Sequence, residues 1–361
     1  MRQMATNRWV EWVMRGERAA EVRIADVLRD RPGWRIAVEP YVAHGTATRC
    51  TVRGRVLVSR RGDASPGSPL APLRKAAARY ATVDVPGVVV TVEVAGQSQQ
   101  ATSGPEGYVE ATIDLPSLPP GWHTVTYAVA GGDQLEGPLL VVDPGAKRGI
   151  ISDLDDTVIH TGLTQAMVAL RNSLLVADTA RMAVAGGAEL YQGLVAGDGG
   201  RAPVFYVSTG AWNVHGMLVD FLARTGFPRG PVLLTDWGPG QRWLFREDSA
   251  AFKARAIRAL FAEHPQLSWV LVGDSGQHDA EAYAQVVRTE PGRVTAIYIR
   301  DVPPASLLRT SRVEELAAEV QALGVPMLLI SDSVQAAEHA RSIGLVDATV
   351  VERVRAATVS P

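Results

Sequence analysis

The sequence "ISDLDDTVIHTG" at residues 151–162 places Asp153, Asp155 and Asp156 within four positions, directly after the apolar pair Ile150 and Ile151. The apolar run predicts a buried strand, so the acidic residues lie at its carboxyl end. Carboxylates this close repel one another and are costly to remove from water. A bound metal ion would offset both costs. The stretch therefore predicts a metal site at the end of a buried strand.

Composition narrows the class of protein. The chain has 361 residues, 47% of them hydrophobic, and a formal net charge of -2. The length favours two or three domains, and the balanced charge argues against a nucleic-acid partner. The single cysteine, Cys50, excludes an intrachain disulfide. We see no signal-peptide pattern and no apolar run of about 18 residues, so we expect a cytoplasmic protein without a transmembrane segment, able to act peripherally at a membrane.

The pattern of apolar and polar residues divides the chain into three regions. Residues 1–33 predict an N-terminal amphipathic helix that packs on a neighbouring domain, with a membrane or partner contact as the alternative. Residues 34–146 contain short runs that alternate apolar and polar residues, such as Val90, Val92 and Val94, and predict a small antiparallel β-sandwich domain. This domain is a candidate binding site for a protein partner that the sequence does not identify.

Residues 147–361 alternate apolar strands with helical patterns, the last of them over 333–356. This alternation predicts an α/β domain with a doubly wound parallel sheet. Right-handed crossovers place the loops that follow the strands along one edge, where such folds bind ligands. The predicted strands are "RGIISD", "APVFYVS", "GPVLLTD", "SWVLVGD", "RVTAIYIRD" and "VPMLLISD".

Acidic, hydroxyl and cationic residues follow these strands and would meet at that edge. Asp153 and Asp274 can together hold Mg²⁺, a hard cation that prefers oxygen ligands. Phosphoryl transfer needs a nucleophile, a proton donor and cations near the phosphoryl oxygens. Asp153 can be the nucleophile, Asp155 the acid and base, and Lys253 the cation.

The remaining candidates support these groups. Ser208 or Thr209 can donate hydrogen bonds to phosphoryl oxygens, and Gly210 follows them in the same loop. Asp279 is either a helix N-terminal charge or a partner of the metal ligands, and Thr157 is expected beside those ligands. Arg300 either forms a structural ion pair with Asp301 or binds the polar part of the substrate.

These residues resemble the haloacid dehalogenase superfamily of phosphohydrolases. "DLDDT" resembles its first motif, Ser208 or Thr209 its second, Lys253 its third and "GDSGQHD" its fourth. The resemblance implies a sheet in the strand order 5-4-1-2-3, with Asp153 as nucleophile and Asp155 as acid and base. It also implies Mg²⁺ held by Asp153, the backbone carbonyl of Asp155, and Asp274.

A narrower resemblance covers residues 35 to 305. "GIISDLDDTVIHTG", "VFYVSTGAWN", "GDSGQHDAEAY" and "AIYIRDV" are similar to the catalytic domain of the yeast actin-patch-associated, Mg²⁺-dependent phosphatidate phosphatases and their bacterial relatives. "PYVAHGTATRCTVRGRVL" and "GYVEATIDLPSLPPGW" resemble the β-rich region before it. The resemblance implies a phospholipid substrate, phosphatidate, hydrolysed to diacylglycerol and phosphate. The chain departs from the pattern at Ser208-Thr209-Gly210-Ala211-Trp212, where Ser-x-Ser-Pro-Trp is expected.

Two other functions stay open. The first is a phosphatase of the same superfamily that acts on another phosphomonoester, such as a nucleotide or a phosphoprotein. The second is a binding or scaffold protein without turnover, against which the presence of Asp153, Asp155, Lys253 and Asp274 argues. The region of about fifty residues between the first two motifs predicts helix and loop rather than a large cap, and an open site suits a bulky substrate.

Overall fold

The computed structural model describes residues 34–60, 83–130, 132, 134–159, 183–235, 249–302 and 306–359. These residues form two compact units, 34–141 and 142–359. The predicted N-terminal helix over 1–33 lies outside the described residues, as do residues 160–182 of the region between the first two motifs. Among the described helices, none combines the length and the apolar character that a membrane crossing needs.

The first unit is a nine-stranded sheet built around the long strand β3. One edge of β3 pairs with β1 and β2, and the other edge pairs with β7 and β4. The strands are β1 Trp34–Pro40, β2 Ala43–Thr46, β3 Arg49–Arg60, β4 Val83–Asp84, β5 Val89–Val94, β6 Gln97–Thr102, β7 Tyr108–Asp114, β8 Gly121–Val129 and β9 Leu135–Val141.

The predicted antiparallel β-sandwich is confirmed as a mainly antiparallel sheet, and the strand pairing differs from the prediction in two respects. All nine strands belong to one hydrogen-bonded sheet, because β3 is long enough to pair with four others. In addition, β2 and β9 are parallel. The predicted alternation is confirmed: Val90, Val92 and Val94 are buried with Val125 and Tyr127 in one apolar core.

The second unit contains a six-stranded parallel sheet in the order β12-β11-β10-β13-β14-β15. Its first five strands in sequence therefore have the predicted order 5-4-1-2-3, and β15 extends the sheet beyond β14. The strands are β10 Arg148–Ser152, β11 Val204–Ala211, β12 Val232–Thr235, β13 Ser268–Asp274, β14 Val294–Arg300 and β15 Met327–Ile330.

Helices connect these strands, as expected for a sheet of this kind. They are α1 Gly187–Ala196, α2 His215–Arg224, α3 Ser249–Glu263, α4 Asp279–Thr289, α5 Leu307–Ala322, α6 Ser333–Ser342 and α7 Ala348–Val359. The single helix predicted over 333–356 is wrong. Gly344 adopts a left-handed φ of 74°, which ends one helix. Asp347 then accepts a hydrogen bond from the Val350 amide, which begins the next.

The central strands β10 and β13 approach closely at a glycine. A Cβ on Gly149 would lie 2.4 Å from the Trp269 ring, which is fully buried and stacks on Phe261. The ring therefore fills the space that a side chain on β10 would occupy. This contact lies beneath the carboxyl edge where the acidic residues meet.

We predict that Gly149→Ala destabilises the protein by about 1–3 kcal/mol, because the added methyl group would overlap the buried Trp269 ring. Thermal unfolding measures the change. Gly104→Ala is the control, since its Cβ would meet only the Tyr108 carbonyl oxygen, at 3.7 Å. Equal stability of the two variants would contradict the packing described.

Candidate active site

The carboxyl ends of β10 and β13 place two aspartates side by side. The amide of Asp153 donates to the Val272 carbonyl at 2.9 Å, which continues the pairing of the two strands to their last residues. Asp274 ends β13, and both aspartates are fully buried. The sheet register, rather than sequence proximity, therefore brings these carboxylates together.

Lys253 connects Asp153 to a third buried acid, Asp279. Its Nζ donates to Asp153 Oδ1 at 2.7 Å and also to Asp279 Oδ1. The lysine lies on the face of α3 that is buried with Ala254 and Ile257, so its side chain is only 1% exposed. A buried ammonium between two carboxylates satisfies charges that would otherwise be very costly to bury.

Backbone amides hold Asp274 in place. Its Oδ1 accepts hydrogen bonds from the amides of Gly276 at 2.6 Å and Gln277 at 2.9 Å. Its own amide donates to Asp279 Oδ2 at 3.0 Å. Asp279 approaches so closely that a Cβ on Gly273 would lie 2.7 Å from its side chain, so this position requires glycine. Asp279 uses both its oxygens to fix Lys253 and Asp274.

Two carboxylate oxygens in this cluster have no hydrogen-bond partner among the described residues: Asp153 Oδ2 and Asp274 Oδ2. Both are buried, and unsatisfied buried oxygens require an explanation. Asp153, Asp274 and Asp279 each offer an oxygen within 4.8 Å of the others, a group that could hold a metal ion. With Lys253 charged, the cluster carries two excess negative charges, which matches a divalent cation.

Burial has the largest effect on the pKa values of the aspartates in this cluster. It raises the pKa of Asp274 to about 8, and the nearby Asp279 carboxylate adds to the rise. It also raises the pKa of Asp153, against the opposing effect of Lys253. Burial alone would lower the pKa of Lys253, but Asp153 and Asp279 raise it above its ordinary value. A bound cation would favour the ionised aspartates, as oxygen ligation requires.

Asp155 and Ser208 form a second part of the site. Ser208 Oγ donates to Asp155 Oδ2 at 3.1 Å and accepts a hydrogen bond from the Gly210 amide at 3.0 Å. Burial raises the pKa of Asp155, and its contact with Ser208 lowers it in part. A carboxyl with a raised pKa is suited to donate a proton near neutral pH. Thr209 is half-buried in the same strand.

Arg300 fixes the loop that carries Asp155. Its Nη1 donates to the backbone carbonyl of Asp156 at 2.7 Å. Asp156 has a φ of 56°, a left-handed conformation that costs energy for a residue other than glycine. Thr157 follows and is buried, and its Oγ1 has no hydrogen-bond partner among the described residues. The arginine therefore contacts the backbone of the first motif.

The sequence did not indicate one polar contact behind the site. Ser152 Oγ lies 2.6 Å from the Tyr191 hydroxyl and donates to the Asp153 carbonyl at 2.5 Å. Tyr191 lies on α1, 39 residues away in sequence, and looks like an ordinary apolar residue of that helix. The polar residue Ser152 at the end of an apolar strand was the one signal available.

We predict that Mg²⁺ stabilises the wild type and that Asp274→Asn abolishes this effect. The asparagine oxygen can still accept from Gly276 and Gln277, but an amide group would replace the unpartnered Oδ2. At about 100 times its dissociation constant, Mg²⁺ should raise the free energy of unfolding of the wild type by about 2.7 kcal/mol.

Thermal unfolding with and without Mg²⁺ measures this difference. Asp332→Asn is the matched control, because Asp332 caps α6 and asparagine caps helices equally well. The control should respond to Mg²⁺ as the wild type does. An undiminished response of Asp274→Asn would contradict the assignment.

Comparison with known proteins agrees with this geometry. Residues 148–301 match the family described as "Phosphatidate phosphatase APP1, catalytic domain". The chain is 31% identical over 172 residues to "Phosphatidate phosphatase APP1" of Saccharomyces cerevisiae, which covers 48% of this chain and 29% of that protein. It is 26% identical over 153 residues to an uncharacterised protein of Schizosaccharomyces pombe, covering 42% of this chain and 25% of that protein.

The chain therefore spans less than a third of the length of these curated relatives. Among solved structures, it is similar to DsGPDH of Dunaliella salina with a TM-score of 0.32 and 16% identity, over 50% of this chain and 37% of that one, a likeness too slight to support an argument. The matched residues include every residue of the site described above. Residues 148–301 of this chain are therefore similar to the catalytic-domain family of phosphatidate phosphatase APP1.

Proposed function

We propose that this protein is a Mg²⁺-dependent phosphatase of the haloacid dehalogenase type, which hydrolyses phosphatidate to diacylglycerol and phosphate. One observation carries the proposal: Asp153 and Asp274 each leave one buried oxygen unpartnered beside the charged Lys253. A cluster built for stability alone would satisfy these oxygens. The match to the phosphatidate phosphatase family supports the substrate.

Asp153 and Asp274 would hold the Mg²⁺, and the resemblance adds the backbone carbonyl of Asp155. Asp279 would position Lys253 and Asp274 rather than bind the ion, because its two oxygens already accept hydrogen bonds from them. When bound, the cation neutralises the excess carboxylate charge and attracts the phosphoryl oxygens. Thr157, buried next to Asp156 in the same loop, stays a prediction as a neighbour of the ligands.

The reaction would proceed in two displacements at phosphorus. In the first, an oxygen of Asp153 attacks, the bond from phosphorus to the lipid oxygen breaks, and Asp155 gives that oxygen its proton. The products are diacylglycerol and an aspartyl-phosphate. In the second, Asp155 takes a proton from water, the water oxygen attacks phosphorus, and phosphate leaves Asp153. Asp155 is thereby returned to its protonated form.

The other residues would bind and orient the phosphoryl group. Lys253 offers a charge next to Asp153, and Ser208 lies within hydrogen-bonding distance of Asp155. We propose Thr209 and Gly210 as further contacts to phosphoryl oxygens. Arg300 stays a candidate for the polar part of the substrate, although its described hydrogen bond holds the Asp156 carbonyl.

A phosphatase for another phosphomonoester is the second candidate, because the cluster recognises a phosphoryl group and not a lipid. We further propose that residues 34–146 form a separate domain that recruits a partner, and that the protein acts in the cytoplasm, peripherally at membranes. Cell fractionation would test the location.

We predict that the wild type releases phosphate from phosphatidate in mixed micelles with Mg²⁺ and not with EDTA. Asp153→Asn should lose about 10³-fold or more of this rate, because it removes the nucleophile without changing the shape of the site. Asp155→Asn should lose about 10²–10⁴-fold. Asp332→Asn should retain the wild-type rate, since it only exchanges one helix cap for another.

The same proteins should be tested on an aryl phosphate and on soluble phosphomonoesters. Release only from soluble esters would keep the mechanism and refute the lipid substrate. Full activity of Asp153→Asn would refute the nucleophile. A folded protein that binds Mg²⁺ but turns over none of these substrates would favour the scaffold function.

A further inference from the structure

Two adjacent leucines at the start of α5 are almost fully exposed. Leu307 is 89% exposed and Leu308 is 86% exposed, the highest values for large hydrophobic side chains in the described ranges. The face of α5 that packs on the sheet is made by other residues, Val313, Leu316 and Val320. Single exposed leucines are common, but an adjacent and fully exposed pair is a different feature. The pair contributes nothing to the core of its own unit.

This pair lies close to the catalytic cluster. Helix α5 follows β14, whose last residue, Arg300, is paired in register with Asp274. One residue after the leucines, Arg309 places its Nη1 3.3 Å from the position of a Cβ on Gly276. The Gly276 amide donates a hydrogen bond to the Asp274 carboxylate. The first turn of α5 therefore lies against the loop that carries a proposed metal ligand.

The charged residues in the first six positions of α5 are both cationic. Residues 307–312, "LLRTSR", contain two arginines and no acidic residue. Arg312 is partly neutralised by Glu281 and Glu315, at 3.8 and 3.3 Å. Arg309 is half-buried with its guanidinium at the catalytic edge. Apolar side chains beside arginine are typical of segments that bind anionic lipid surfaces.

We propose that Leu307 and Leu308 insert into an anionic lipid surface and bring the site to phosphomonoester headgroups there, a proposal that rests on the lipid substrate proposed above. A second copy of the chain fits less well. A stable protein interface buries about 800 Å² on each partner, far more than two leucine side chains provide. Shallow and reversible insertion needs only a small apolar element with nearby cations.

The test uses the full chain with Leu307→Ser and Leu308→Ser combined. Co-sedimentation with vesicles of phosphatidylcholine and phosphatidate measures binding, and phosphate release from the same vesicles measures turnover. The double variant should bind about 100-fold more weakly, about tenfold for each leucine. Its rate on a soluble aryl phosphate should equal that of the wild type, which also shows that it is folded.

Two further variants make the test specific. Leu323→Ser changes a leucine that is 54% exposed just after the other end of α5, and it should bind vesicles as the wild type does. Leu307→Phe with Leu308→Phe keeps the apolar character and should retain binding. Unchanged vesicle binding by the double serine variant would overturn the proposal, as would an equal loss in Leu323→Ser. So would a wild-type dimer that the serines dissociate without any change in vesicle binding.

The readouts separate this proposal from the proposed function. Vesicle binding that depends on the leucines, without phosphate release from phosphatidate by the wild type, would support the docking surface and contradict the substrate. Equal phosphate release from vesicles by the wild type and the double serine variant would support the substrate and contradict the docking surface.

Discussion

The site depends on the contact of one buried lysine with two aspartates. Lys253 donates to Asp153 and Asp279, which come from the ends of different elements. Without this ammonium, three carboxylates would be buried together, at a cost that the domain could not sustain. With it, the charge is reduced but not balanced. The remaining negative charge suits the cluster to a divalent cation, and a bound cation would in turn attract a phosphoryl group that carries its own negative charge.

The rest of the unit serves to fix that contact. The parallel sheet places Asp153 and Asp274 at the ends of neighbouring strands. The backbone amides that follow β13 donate hydrogen bonds to one carboxylate oxygen of Asp274. Asp279 uses both its oxygens within the cluster. Among the carboxylate oxygens of Asp153, Asp274 and Asp279, only Asp153 Oδ2 and Asp274 Oδ2 then have no hydrogen-bond partner in the described part of the chain. The protein thus satisfies the groups that hold the site in shape and leaves unsatisfied those that would bind the ion.

Much of this arrangement could be predicted from the sequence, because apolar strands ending in acidic residues locate a sheet edge. The grouping of Asp153, Lys253 and Asp274 was predicted in this way, whereas the order of the strands was implied by the resemblance to the haloacid dehalogenase superfamily. The role of Tyr191 was not, because a contact between a helix and Ser152 depends on packing that no local pattern encodes. The same holds for the parallel pairing of β2 with β9, which short alternating strands do not specify.

In the proposed mechanism, everything depends on Asp153 as the acceptor of the phosphoryl group. The most direct measurement is rapid acid quenching of the enzyme during turnover of radiolabelled phosphatidate, followed by mass spectrometry of its peptides. We expect a phosphoryl group on Asp153 that hydroxylamine removes, because an acyl phosphate is cleaved by hydroxylamine. Turnover with no label on the protein, or with the label on another residue, would contradict it.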